Sequence, residues 1–86
     1  MKVVKLFSPT CGPCKVLEKN LKEAGINYTD ADISTDFGAG IAEEYGVRNV
    51  PTLLLLDRDG KLVSSLGGIQ SVEKLKELKE TLNETD

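Results

Sequence analysis

The apolar residues of this chain fall into short blocks whose rhythm changes between strand-like runs and helix-like spacing. Lys2–Phe7 (KVVKLF) gathers β-branched and apolar side chains into six residues and predicts a first strand, which Ser8-Pro9-Thr10 ends. From Gly12 to Ala24, Val16, Leu17, Leu21 and Ala24 recur at helical spacing. Lys15, Glu18, Lys19 and Lys22 fill the opposite face, Pro13 suits the first turn, and Gly25 supplies the stop. Ile26–Ile33 (INYTDADI) alternates well enough to predict a second strand. Ser34, Thr35 and Asp36 offer N-caps for a short helix carrying Phe37, Ile41, Ala42 and Tyr45 and closed by Gly46. Gly38 and Gly40 weaken its start by about 1 kcal/mol each relative to alanine. Thr52–Asp57 is the most hydrophobic strand, and its unbroken Leu53–Leu56 predicts burial on both faces. Asp57-Arg58-Asp59-Gly60 turns the chain, Lys61–Leu66 returns as a hairpin partner, and Gly67-Gly68 breaks that strand. Val72, Leu75, Leu78 and Leu82 mark a closing helix over Ser71–Leu82.

The order βαβαββα constrains the architecture. A β-α-β start places two parallel strands on either side of a right-handed crossover, and the terminal hairpin must add antiparallel strands. The expected fold class is α/β, a mixed four-stranded sheet flanked by three helices, formed as one domain over residues 1–86. With 86 residues, one domain is the ceiling. An apolar content of 40% is ordinary for a globular chain and too high for a disordered one. Eleven basic against fourteen acidic residues leave no cationic footprint for nucleic acid or an anionic membrane surface. The apolar run near the N-terminus is too short for a signal peptide or a membrane span, so a cytoplasmic, reducing location is expected. The absence of histidine excludes Ser-His-Asp and Cys-His catalytic pairs and any His-ligated metal.

The remaining specialised chemistry is Cys11-Gly12-Pro13-Cys14. Cys11 falls where the first strand gives way to the first helix, facing unpaired backbone N–H groups and the positive end of the helix dipole. Both favour thiolate, the attacking species in disulfide exchange. Lys15 adds a nearby positive charge. Cys14 lies one turn further along, more covered, and suits the resolving role. Other uses of the pair fit less well. Zinc needs about four ligands, so two thiols could supply only half of a site shared between chains. A structural disulfide closing so small a loop removes little chain entropy. A CxxC in a βαβ context points to redox function.

Cys11-Gly12-Pro13-Cys14-Lys15 resembles the thioredoxin active-site motif. Tyr45–Leu56 (YGVRNVPTLLLL) resembles the run into that family's cis-proline and core strand, with Pro51 placed 37 positions beyond Cys14. The likeness continues through Asp59-Gly60 and Gly67-Gly68 into the last helix, covering nearly the whole chain. The resemblance implies a dithiol–disulfide oxidoreductase that reduces protein disulfides, with Cys11 as nucleophile and Cys14 as resolving thiol. It implies a cis Pro51 that sets the Val50 backbone beside Cys11 to meet an extended substrate. Thr10, Gly12, Pro13 and Gly67 would line the target groove. The Cys11–Cys14 disulfide would be the redox group, with no separate cofactor or metal. Protein disulfides and a thioredoxin-reductase-type electron donor would be the partners of a monomer.

The departures from that family are specific. Thioredoxins usually carry an extra strand and helix ahead of the active-site strand. Their tryptophan before the first cysteine is Thr10 here. Their buried acid, six residues before that cysteine, is Lys5, so proton handling would fall to solvent, to Lys5, or to Asp32 or Asp57. The length, Ser8-Pro9-Thr10, and Val50-Pro51 with Gly67-Gly68 also resemble glutaredoxin. In that family an acidic residue generally follows the double glycine, and Ile69-Gln70-Ser71 lacks it. A glutathione-dependent glutaredoxin, using Lys5, Lys15 or Arg48 for the glutathione carboxylates, is one alternative. A non-enzymatic interaction subunit on the same fold is another, and a thiol oxidase or isomerase a third.

Overall fold

A computed structural model describes residues 1–85, with side chains described through Leu82. The elements run β1 (Lys2–Phe7), α1 (Gly12–Ala24), β2 (Thr29–Asp32), α2 (Asp36–Glu44), β3 (Thr52–Leu56), β4 (Leu62–Gly67) and α3 (Val72–Thr85). The order is βαβαββα, as the apolar pattern predicts. The four strands form one mixed sheet in the order β2-β1-β3-β4. β1 and β2 are parallel, with Leu6 opposite Ala31, while β1·β3 and β3·β4 are antiparallel.

Strand alternation sends successive side chains to opposite faces and so divides the interior into two layers. Val3, Leu53 and Leu55 face Leu17, Leu21 and Ala24 of α1 and Leu75 of α3. Val4, Leu6, Ala31, Leu54 and Leu56 face the other way, packed by Ile41 and Ala42 of α2. β3 lies between β1 and β4 with helices above and below, and all five of its residues are buried, as its leucine run predicts.

Three expectations are corrected. β2 spans Thr29–Asp32 rather than Ile26–Ile33, because the first of those residues close α1 instead. Gly25 takes a left-handed conformation (φ 72°), and the Ile26 N–H donates to the Leu21 carbonyl at 3.1 Å, leaving Ile26 buried under the helix end. Val16 is 45% exposed, since the buried stripe of α1 is Cys14, Leu17, Leu21 and Ala24. At about 100° per residue, Val16 projects some 200° round from Cys14. Phe37 is 61% exposed, because the first turn of α2 turns Gly38 inward instead. A Cβ at Gly38 would run into the Asp32 carbonyl, so this glycine lets the helix backbone rest directly against the end of β2. Thr35 caps that helix, its Oγ accepting the Gly38 N–H at 3.2 Å.

Candidate active site

The strand pairing gathers distant segments at one edge of the sheet. β1 ends at Phe7 and leads through Ser8–Thr10 into Cys11. Antiparallel to it, β3 begins beside that end, with Thr52 opposite Leu6. Thr52 is also opposite Gly67, the last residue of β4. Thr10, Cys11, Gly12 and Pro13 therefore share this edge with Val50, Pro51 and Gly67. The Gly68 N–H donates to the Pro51 carbonyl at 2.9 Å, joining the two latter segments directly. The Val50–Pro51 peptide bond is cis. Beside Val50, a depression of about 290 Å³ is lined by Ile33, Ala39, Ala42, Val47 and Arg48 among others.

Cys11 is the N-cap of α1, and its Sγ accepts the Cys14 N–H at 3.1 Å. A short polar side chain normally fills that position, satisfying a first-turn N–H that has no helical partner. Here the sulfur does so, which places it at the positive end of the helix. The Cys11 N–H in turn donates to the Ser8 carbonyl at 3.2 Å, fixing the turn out of β1. Cys11 and Cys14 are joined by a disulfide across Cα atoms 5.3 Å apart. Cys11 is half-buried and flanked by exposed Thr10, Gly12 and Pro13, whereas Cys14 is buried. The first residue is therefore the more accessible of the two. No cluster of three or more potential metal-ligating side chains occurs among the described residues.

Two supporting features escaped the sequence reading. Gln70 is buried, and its side-chain amide donates to the Gly67 carbonyl at 3.0 Å while its backbone carbonyl accepts from Asn20 Nδ2 at 2.9 Å. The loop after β4 is thereby tied to the middle of α1. An amide residue following a double glycine is the only sequence signal for it.

The second feature surrounds Lys5, which is 2% exposed. Its Nζ lies 2.9 Å from Asp30 Oδ1 and 3.6 Å from Glu18 Oε2, and within about 5 Å of the ring centroids of Phe7 and Tyr28. Hydrogen bonding from Lys22 and the charge of Lys5 together hold the Glu18 carboxyl below its usual range. Asp32 and Asp57 are committed elsewhere. Asp32 accepts from the Ser34 N–H and Oγ at 2.8 and 2.7 Å. Asp57 accepts the Asp59 and Lys61 N–H groups, both at 2.9 Å, in the hairpin turn at the opposite edge of the sheet.

Comparison with known proteins agrees with this geometry. The thioredoxin family model matches residues 1–83. Thioredoxin from Bacillus subtilis is 40% identical over 76 residues, covering 84% of this chain and 72% of that protein. The structure of a mutant thioredoxin from Halobacterium salinarum superposes with a TM-score of 0.76 at 32% identity, over 92% of this chain and 71% of its own. Thioredoxin 1 from Thermosipho africanus shares the fold along nearly its whole length, at TM-score 0.74 and 19% identity, covering 99% of this chain and 97% of that one. With a CxxC disulfide at a helix N-terminus on a β2-β1-β3-β4 sheet, the chain belongs to the thioredoxin family and is a thiol–disulfide oxidoreductase acting on protein disulfides.

Proposed function

We propose that this oxidoreductase works as a protein-disulfide reductase with Cys11 as nucleophile and Cys14 as resolving thiol. The observation carrying this reading is the unequal placement of the two sulfurs. One is a reachable N-cap accepting a backbone N–H, and the other is buried a turn behind it. In the reduced protein the Cys11 thiolate attacks a substrate disulfide. A bond forms between Cys11 Sγ and one substrate sulfur, and the other leaves as a thiolate that solvent protonates. Cys14 then releases its proton and attacks Cys11 Sγ, closing the intrachain disulfide and expelling the second substrate thiolate. Two electrons pass from the dithiol to the substrate.

Thr10, Gly12, Pro13, Val50, Pro51 and Gly67 form the docking edge in this reading. A reductase-type donor regenerates the dithiol of a cytoplasmic monomer. Glutathione is the less favoured donor, for a specific reason. Of the three cations available for its carboxylates, Lys5 is sealed inside and engaged by Asp30 and Glu18, which leaves only exposed Lys15 and Arg48.

Insulin-disulfide reduction tests the assignment. Cys11→Ser is expected to be inert, and Cys14→Ser to accumulate a mixed disulfide through Cys11. Reduction of insulin by Cys11→Ser would reverse the roles. Titration of the couple against a redox buffer separates a reductant, near about −270 mV, from an oxidant, near about −120 mV.

A further inference from the structure

Among the described residues, three polar or charged side chains are buried, and Lys5 alone of them is charged. Its position relates it to the cysteines. Along β1 it follows Val3 on the face that packs against α1, and it pairs in register with Asp30 on one side and Leu53 on the other. From that face its ammonium reaches Glu18 at 3.6 Å. Glu18 is four residues beyond Cys14 on α1, so the two sit one above the other about 6 Å apart along the helix. Lys5 and Cys14 are thus both enclosed between the sheet and the first turns of α1.

The environment of Lys5 is that of a cation. Asp30 and Tyr28 face it from β2 and its lead-in, Glu18 from α1 and Phe7 from β1, with Asp32 one step further along β2. Its two carboxylate partners are 51% and 38% exposed, while Lys5 is 2% exposed. Solvent screens the two carboxylates more than the enclosed ammonium, whose field is the least screened of the three. An ammonium offers donors only and has no lone pair to accept a thiol proton. What it can supply to a buried thiol is a fixed charge.

We propose that Lys5 is a positioning residue for the resolving step: its enclosed ammonium stabilises the Cys14 thiolate, whose proton passes to solvent. This rests on the assignment of Cys14 as the resolving thiol. In the step itself, the Cys14 thiolate attacks Cys11 Sγ, the Cys11–substrate bond breaks, and the substrate sulfur departs with the electron pair.

Stopped-flow oxidation of the reduced protein by the aromatic disulfide DTNB separates the steps. Attack by Cys11 releases the first thionitrobenzoate at a rate proportional to reagent, and resolution by Cys14 releases the second at a rate independent of it. The pH profile of the second phase is measured for the unsubstituted protein, Lys5→Met, Lys5→Arg and a Glu18→Gln, Asp30→Asn double variant. Lys5→Met is expected to move the midpoint upward and slow the second phase about three- to tenfold near neutral pH, corresponding to roughly half to one unit. The first phase should change less than about twofold, because Lys5→Met removes a charge from the side of the buried Cys14, and Lys5→Arg, which keeps that charge, should keep the original profile. The double variant, which removes the counter-charges at solvent-facing positions, should move the midpoint downward. An unmoved profile in Lys5→Met, or a slowing uniform across pH, would overturn the proposal. Should Lys5→Met not fold, the double variant decides alone, since an unchanged or raised midpoint refutes the role. If the second phase instead scales with reagent, Cys14 is not the resolving thiol and the underlying assignment fails, taking this inference with it.

Discussion

Beneath α2, the buried residues Val4, Leu6, Ala31, Leu54 and Leu56 form a wholly apolar layer, whereas the layer beneath α1 and α3 has Lys5 following Val3 toward the cysteines. The strands are shared, and the contrast lies in Lys5 of β1 with Asp30 of β2 and in what the helices bring to each face. α2 brings Ile41 and Ala42 and, at Gly38, bare backbone. α1 brings Leu17 and Leu21 together with Glu18, which reaches Lys5. One face is closed by contact alone. The other combines apolar contact with an ion cluster, and it is the face that carries the redox-active helix.

Moving the charge across the sheet breaks the comparison most severely. Leu54→Lys would bury an ammonium in the apolar layer, on the face of the sheet opposite to Lys5 and its carboxylate partners. A loss of about 3–5 kcal/mol is expected from urea unfolding of the oxidised protein. Lys5→Met, by contrast, leaves Asp30 and Glu18 able to turn to water and should change stability by about 1 kcal/mol or less. Equal losses from the two variants would mean that the faces do not differ in their tolerance of charge.

A smaller effect is expected at Gly38→Ala, where the new methyl meets the Asp32 carbonyl and α2 must lift from β2. Overpacking of this kind costs about 1–3 kcal/mol. Gly12→Ala, with no atom within 4 Å of the added Cβ, provides the steric control on the α1 side.

The smallest effect is the acid dependence contributed by Glu18. Its carboxyl is held below the ordinary 4.5, first by the hydrogen bond from Lys22 Nζ and then by the charge of Lys5. The folded value lies below the unfolded one. The associated stabilisation is therefore complete above the unfolded value and disappears as pH falls through the folded value. Urea midpoints should accordingly fall less between neutral pH and about pH 3 in Glu18→Gln than in the parent. An identical fall would remove Glu18 from the cluster's energetics.

Much of this arrangement is legible in the chain because its causes are local. Cys11 at the start of α1, Gly25 as helix stop and Leu53–Leu56 as a doubly buried strand follow from spacing and from the chemistry of single residues. Errors arise where a residue has two local uses. Ile26 suits a strand but closes α1, and Val16 fits a helical count while lying outside the stripe that Cys14, Leu17, Leu21 and Ala24 define. The surroundings of Lys5 are not local at all. Asp30, Glu18 and Tyr28 come from separate stretches, and only the parallel pairing of β1 with β2 beneath α1 assembles them. The clasp from Asn20 through Gln70 to Gly67 has the same origin, joining residues fifty positions apart. The cis bond at Pro51 belongs with these, since only about 5–6% of X-Pro bonds adopt it and the residues around it do not by themselves demand it.

The burial of β3 on both faces has a consequence for how the molecule breathes. Amide groups on a strand paired on both sides and covered above and below exchange with solvent only through large-scale opening. Thr52 belongs to this slow class, yet half-exposed Val50 stands two residues away at the proposed docking edge. The proposed docking edge is therefore attached to a strand paired on both sides and buried throughout. A partner meeting it encounters backbone already held in place, and little ordering remains to be done when the complex forms.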